Sequence, residues 1–239
     1  MSIDVEIWSD IACPWCYIGK RRFEKALDGF EHKDSVNVRW RSYQLDPTLP
    51  DHDPRTEADY LSQAKGMPAE QVHQMLGHVK EQAAGEGLEY DWDAVVVANS
   101  RKAHRLLQAA KRADAVDEGT RTDALKESLL EGHFIDGKNI GDDDTLVALG
   151  VAAGVGEVES REAIDSQELD QLIDQDIAHG RQIGVQGVPF FVFENKYGVS
   201  GAQPPHVFEQ ALETVWSEKK PSLITLDGES GDACGPDGC

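Results

Sequence analysis

Cysteine is scarce in this chain of 239 residues: four occur, and none is scattered through its body. They form two close pairs, Cys13 with Cys16 and Cys234 with Cys239. A structural disulfide framework bridges distant segments, so that class is excluded. Positive charge is also short, with 23 Lys and Arg against 44 Asp and Glu and a net charge of −21. Such a surface repels nucleic acid and anionic lipid, so neither is expected as a partner. No apolar run reaches the ~18 residues of a membrane span. The start, Met1-Ser2-Ile3-Asp4-Val5-Glu6, lacks the basic and apolar regions of an export signal. Together with the cysteine usage this predicts a cytoplasmic protein working in a reducing compartment. Metal-binding patterns of the H-E-x-x-H type and long internal repeats are absent as well.

A hydrophobic content of 40% supplies a sizeable core, and the length suits one large domain or a domain carrying an insertion. The acid excess suits a high-salt cytoplasm, where a Debye length of ~3 Å screens self-repulsion. The chain is therefore expected to be halophilic; the plainer alternative is an acidic enzyme of an ordinary cytoplasm.

The chemistry concentrates in Cys13-Pro14-Trp15-Cys16. This dithiol follows the alternating run Ile3, Val5, Ile7 and opens a helical pattern from Tyr17 to Phe30. At the N-cap, Cys13 would face unsatisfied helix N–H groups, and Pro14 suits the first helical position. Helix dipole and free amides would favour a Cys13 thiolate, making Cys13 the attacking sulfur and Cys16 the resolving one. Electrons then move through the two sulfurs, and no cofactor is expected.

Residues 3–9 read as a strand, 14–30 as a helix and 36–44 as a second strand, followed by a proline-rich break at Pro47, Pro50 and Pro54. Helical patterns then run from about Thr56 to Gly184, with starts at Thr56, Pro68, Asn99 or Ser100, Thr122, Asp143 and Ser160. Val188 to Phe193 and Tyr197 to Ser200 read as a hairpin turning at Glu194-Asn195-Lys196, and Pro204-Pro205 begins a last helix ended by Pro221. Residues 222–239 are rich in Gly, Asp and Ser and read as a mobile tail.

Three stretches resemble the DsbA-like thioredoxin superfamily in its FrnE branch. Ser9 to Lys20, with Cys13-Pro14-Trp15-Cys16 at its centre, is similar to the active-site segment; Gly187 to Val192 resembles the cis-proline strand; Tyr197 to Pro204 resembles the lead into the last helix. Asn99 to Arg105 is similar to the insertion helix of this branch. The resemblance implies an α/β protein with a thioredoxin fold interrupted by a large all-helical insertion. Its parts would be a β-α-β unit at 1–50, the insertion at 51–184, a closing hairpin and helix at 185–220, and the tail at 221–239. It also implies a dithiol–disulfide oxidoreductase whose partners are disulfide- or dithiol-containing proteins and a separate redox partner. Substrate-binding positions would be Pro14, Trp15, Val188 and Pro189. A cis Val188-Pro189 bond would turn the Val188 backbone toward an extended substrate chain; the plainer reading is a trans proline on an edge strand. Trp15 stands where the DsbA site usually has His, and an indole adds no charge to stabilise a thiolate, so a less oxidising pair is expected.

Rival readings remain at this point. Relatives of the 2-hydroxychromene-2-carboxylate isomerase and kappa-class glutathione transferase type carry serine at the position of Cys13, and retention of both cysteines favours redox work. A peptide-binding chaperone using a cleft under the insertion is the non-enzymatic alternative. Cys234 and Cys239 form either a redox relay or a tail pair without a role. A four-cysteine zinc site is set aside, because zinc would silence the dithiol, and no metal is expected. His104 and His133 are candidates to line a cleft, core or surface placement being the plainer reading. Asp142-Asp143-Asp144 reads as a helix cap. The chain is expected to be a monomer or homodimer, an exposed hairpin edge permitting the latter.

Overall fold

The alternation Ile3, Val5, Ile7 becomes the buried face of a central strand, β1 (Ile3–Ser9). This computed structural model describes residues 2–117 and 119–219; Cys234, Cys239 and the expected helix stop at Pro221 lie outside the described residues. Strand β2 (Val36–Ser42) pairs parallel with β1 in the register Ile3 to Val36 through Ser9 to Ser42. Strands β3 (Phe190–Phe193) and β4 (Tyr197–Ser200) form an antiparallel hairpin, and β3 lies antiparallel on the other side of β1. The sheet order is β2-β1-β3-β4. In the hairpin turn, Glu194 and Asn195 adopt φ of 54° and 52°. Glu194 is held there by the Asp4 amide, which donates to its carboxylate at 2.6 Å, and by Lys219 at 2.7 Å.

Helices α1 (Pro14–Gly29) and α9 (Pro205–Lys219) cover one face of the sheet, burying Phe23, Phe208 and Leu212 against Ile3, Val5, Ile7, Phe191 and Phe193. Between β2 and β3 the chain makes α2 (Glu57–Lys65), α3 (Ala69–Ala84), α4 (Arg101–Asp117), α5 (Arg121–Phe134), α6 (Asp143–Ala152), α7 (Glu157–Ile164) and α8 (Gln167–Gln182). This is the thioredoxin fold with an all-helical insertion that the motifs imply.

The pattern from Ser160 to Ile183 is divided rather than continuous. Ser166 accepts from the Leu169 amide at 3.3 Å and caps a new helix, α8. A serine within an apolar periodicity competes for the backbone and restarts the helix. Asp142 caps α6 by accepting from the Thr145 amide at 2.9 Å. Strand β3 begins at Phe190, after the proline, and β2 ends at Ser42.

The insertion has its own core, with Leu106, Leu107 and Ala110 of α4 packed among Leu125, Leu129, Leu146 and Ile164. It is tied to the sheet at Asp176 of α8, a buried carboxylate that accepts from the Ser42 amide at 3.0 Å, Gln108 at 2.8 Å, Arg41 at 2.8 Å and Lys111 at 3.3 Å. Trp8 donates to the Asp176 carbonyl at 2.8 Å over Gly180. A Cβ on that glycine would fall 2.6 Å from the indole nitrogen, so only glycine permits the approach. No described helix is long and apolar enough to cross a membrane.

Candidate active site

Strand β1 delivers the chain to Ser9 and Asp10, two further residues bring it to Cys13, and α1 begins at Pro14. Cys13 is the N-cap residue of α1, with extended backbone and Pro14 in the first turn. Its sulfur does not cap the helix. It donates instead to the Val188 carbonyl at 3.5 Å, while the Cys16 amide bonds to the Cys13 carbonyl at 3.0 Å. Val188-Pro189 is cis, and the Cys13–Val188 hydrogen bond brings together the two segments that the sequence singled out. Gly19 of α1 lies against this loop: a Cβ there would sit 2.8 Å from Pro189 Cγ.

Both cysteines are free thiols, Cys13 exposed to 4% and Cys16 to 1%. Their environments differ. The hydrogen bond with Cys16, together with burial, pushes the Cys13 thiol well up. Burial would also raise Cys16, but the hydrogen bond from Cys13 and the positive charge of Lys126 bring it down. Of the two thiols, Cys16 is thus the more acidic at rest. The helix-end amides expected to favour a Cys13 thiolate make no hydrogen bond to its sulfur, which faces Val188 instead.

Lys126, on α5, is 1% exposed. Burial lowers its pKa to about 8, against the pull of Cys16, Asp10 and Cys13. Its ammonium also faces the Trp40 ring, 5.3 Å from the centroid. Asp10 is equally enclosed. Burial would raise its carboxyl, but His104, the Leu45 amide and Ser100 hold it below the usual range. His104 of α4 lies 3.2 Å from Asp10 through Nε2. Burial lowers the His104 pKa, so the neutral ring donates Nε2–H to the carboxylate, and Nδ1 has no partner among the described residues. Sequence reasoning missed Lys126, a lone cation between Leu125 and Leu129 in a helical stretch. The available signal was its place on the apolar face of that stretch.

A cleft of about 530 Å³ opens beside the dithiol. Cys13, Pro14, Trp15 and Val188 line it, as do Leu61, Leu76 and Val79 from the insertion. Cys16 and Pro189 do not. His133, 3% exposed, also lines the cleft; its Nδ1 has no partner among the described residues, and burial lowers its pKa to about 4. His104 is instead a core residue with no exposed surface. Trp15 packs near His78 of α3, ring centroids 6.1 Å apart, and Tyr90 donates its hydroxyl to the Pro14 carbonyl at 2.7 Å. The insertion therefore forms one wall of the site and grips the start of α1.

Comparison with known proteins agrees with this geometry. The model of the DSBA-like thioredoxin domain matches residues 4–213. A crystal structure from Streptomyces coelicolor, described as a "probable DsbA oxidoreductase", is 42% identical and superposes with a TM-score of 0.84, covering 99% of this chain and 98% of that one. The cytosolic disulfide reductase DsbM from Pseudomonas aeruginosa shares the fold at 19% identity and a TM-score of 0.63, over 90% of this chain and 99% of its own; it has also been solved with GSH. YwbO of Bacillus subtilis, an uncharacterised protein, is 24% identical over 92% of this chain and all of its own length. The matched domain spans the dithiol, the insertion and the cis-proline loop, and the chain belongs to the DsbA-like thioredoxin domain family, as a thiol–disulfide oxidoreductase.

Proposed function

We propose that the chain exchanges dithiols and disulfides in protein substrates through Cys13-Pro14-Trp15-Cys16, with Cys13 attacking and Cys16 resolving. The observation that carries this assignment is placement. Cys13 lines the cleft and touches the Val188 carbonyl, whereas Cys16 is absent from the cleft lining. Cys13, which faces the cleft, gives up its proton to solvent and becomes the thiolate. The Cys13 thiolate then attacks a substrate disulfide, forming a mixed disulfide and expelling one substrate thiolate. Cys16 gives its proton to the substrate thiolate just expelled, attacks the Cys13 sulfur, breaks the mixed disulfide and releases the second substrate thiolate. The substrate gains two electrons and the protein becomes the Cys13–Cys16 disulfide. Lys126 stabilises Cys16 whenever it carries charge, and the substrate chain lies along Gly187-Val188 with Trp15 and Pro14 on its other side.

Within the family the motifs favour the FrnE branch, the cysteine usage a cytoplasmic setting and the net charge of −21 a halophilic host; Trp15 in place of His favours a less oxidising pair than in DsbA. Division at residues 50, 184 and 220 is part of the same reading, as is a monomer or a homodimer through the hairpin edge. Cys234 and Cys239 fit a relay that recycles the site dithiol, and replacing both with serine should slow multiple turnover while single turnover keeps its rate. The isomerase-type reading is disfavoured by Cys13 at the position of its serine. Catalysed reduction of insulin by dithiothreitol in concentrated KCl tests the main proposal: acceleration that Cys13→Ser abolishes is expected, and equal rates with and without the folded wild type would overturn it.

A further inference from the structure

The cleft beside Cys13 carries a charge that the exchange mechanism does not use. Glu57, the first residue of α2, lines it. The same cleft is lined by Leu61 of that helix and Leu76 of α3. No hydrogen bond or ion pair to Glu57 exists among the described residues, and burial alone lifts its carboxyl to about 7. The other charges on the cleft are already occupied or distant. Asp10 is bonded to His104, and Asp46 accepts from Thr48 at 2.9 Å and from Tyr60 at 2.9 Å. Lys65, the one cation of the lining, is exposed at the opposite end of α2. A half-buried carboxylate on a largely apolar cleft, with no cation bonded to it among the described residues, is short of a partner.

We propose that Glu57 is a specificity residue that receives a basic side chain of the substrate, so that the cleft selects apolar cysteine-bearing segments carrying a Lys or Arg beside the cysteine and disfavours anionic thiols such as glutathione. The substrate cation supplies the missing partner, and the apolar wall supplies contact for its flanking residues. Charge complementarity of this kind sets partner choice. Glutathione brings two carboxylates and one ammonium to a cleft whose charged lining is mainly acidic. The inference rests on the proposed attack by Cys13, since it concerns what lies next to the attacked sulfur.

Two disulfide-linked peptide dimers, of Ala-Lys-Cys-Leu and of Ala-Glu-Cys-Leu with blocked ends, and glutathione disulfide provide the test. The reduced protein is mixed with each in turn, and the single-turnover second-order rate is measured at moderate salt. In each reaction the enzyme dithiol becomes a disulfide and the peptide disulfide becomes two thiols. Each rate is divided by that of free dithiothreitol, which removes differences in the peptides' own reactivity. The wild type should prefer the Lys dimer over the Glu dimer by at least about fivefold, as expected for one partly desolvated charge contact. Glutathione disulfide should be slower than the Lys dimer. Glu57→Gln should bring the Lys-to-Glu ratio near one, and Glu57→Lys should invert it; circular dichroism checks that both variants are folded. A ratio that Glu57→Gln leaves unchanged would assign the preference to the overall charge and overturn the proposal. So would a ratio of one, or faster glutathione disulfide, in the wild type. Failure of the wild type to reduce any of the three would instead overturn the attack by Cys13, and this inference with it.

Discussion

At the scale of single residues, the site is a dithiol whose proton is steered by one buried cation. Lys126 has a folded pKa of about 8, below its ordinary value of about 10.4. The unfolded chain therefore binds that proton more tightly, and the cost is present below about pH 8 and gone above about pH 10.5. Lys126→Met should stabilise the protein at neutral pH by up to about 3 kcal/mol, a gain shrinking as pH rises. The same variant should move the thiolate titration, followed by ultraviolet absorbance, to higher pH and slow exchange at neutral pH. A titration curve unchanged in Lys126→Met would remove Lys126 from the account. His133 shows the same sign in the acid range: its folded value of about 4 lies below the ordinary ~6.5, so stability should fall as pH drops through that window. His133→Leu should flatten the fall, as read by urea midpoints at several pH values. Gly19→Ala would press a methyl group onto Pro189 at 2.8 Å, with an expected loss of about 1–3 kcal/mol in thermal or chemical unfolding.

At the scale of elements, the insertion is part of the site. It contributes Lys126 from α5, His104 from α4, and Leu76 and Val79 from α3, and the loop before α4 contributes Tyr90. Tyr90→Phe removes the hydrogen bond to the Pro14 carbonyl and should cost about 0.5–1.5 kcal/mol in stability. Equal unfolding midpoints for the variant and the wild type would show that the bond does not tether α1. Much of this scaffold was legible in the sequence. Helix starts at Thr56 and Asp142 follow from hydroxyl or carboxylate caps, and β1 from its strict alternation. The Ser166 restart was hidden because apolar spacing continues through it. The dithiol and the cis-proline loop were legible as motifs, but their neighbours were not. Lys126 and His104 lie in helices whose periodicity says only that they face inward; which inward group they meet depends on how α4 and α5 cross α1, and that crossing leaves no local signal. The sulfur geometry was hidden for the same reason, since the Val188 carbonyl arrives from 175 residues away.

At the scale of the whole molecule, a net charge of −21 is carried on a surface where most cations are already paired with carboxylates, as Arg105 is with Asp170 at 2.7 Å and Arg121 with Asp117 at 2.6 Å. Excess acid without matching base destabilises the compact state through self-repulsion, and salt screens it. The melting temperature should therefore rise with KCl toward molar concentrations, and a flat response would contradict the halophilic reading. The same field draws cationic substrates toward the cleft, which is why a local variant at Glu57 is needed to separate specificity from general attraction.

The measurement closest to the central claim is capture of the mixed disulfide. A Cys16→Ser variant, reduced and mixed with a disulfide-linked peptide, should gain the mass of one peptide in intact-protein mass spectrometry, with proteolysis mapping the adduct to Cys13. Cys13→Ser should gain none at the same exposure. An adduct on Cys16 in Cys13→Ser, formed as fast as that on Cys13 in Cys16→Ser, would contradict the assignment of attacking and resolving sulfurs.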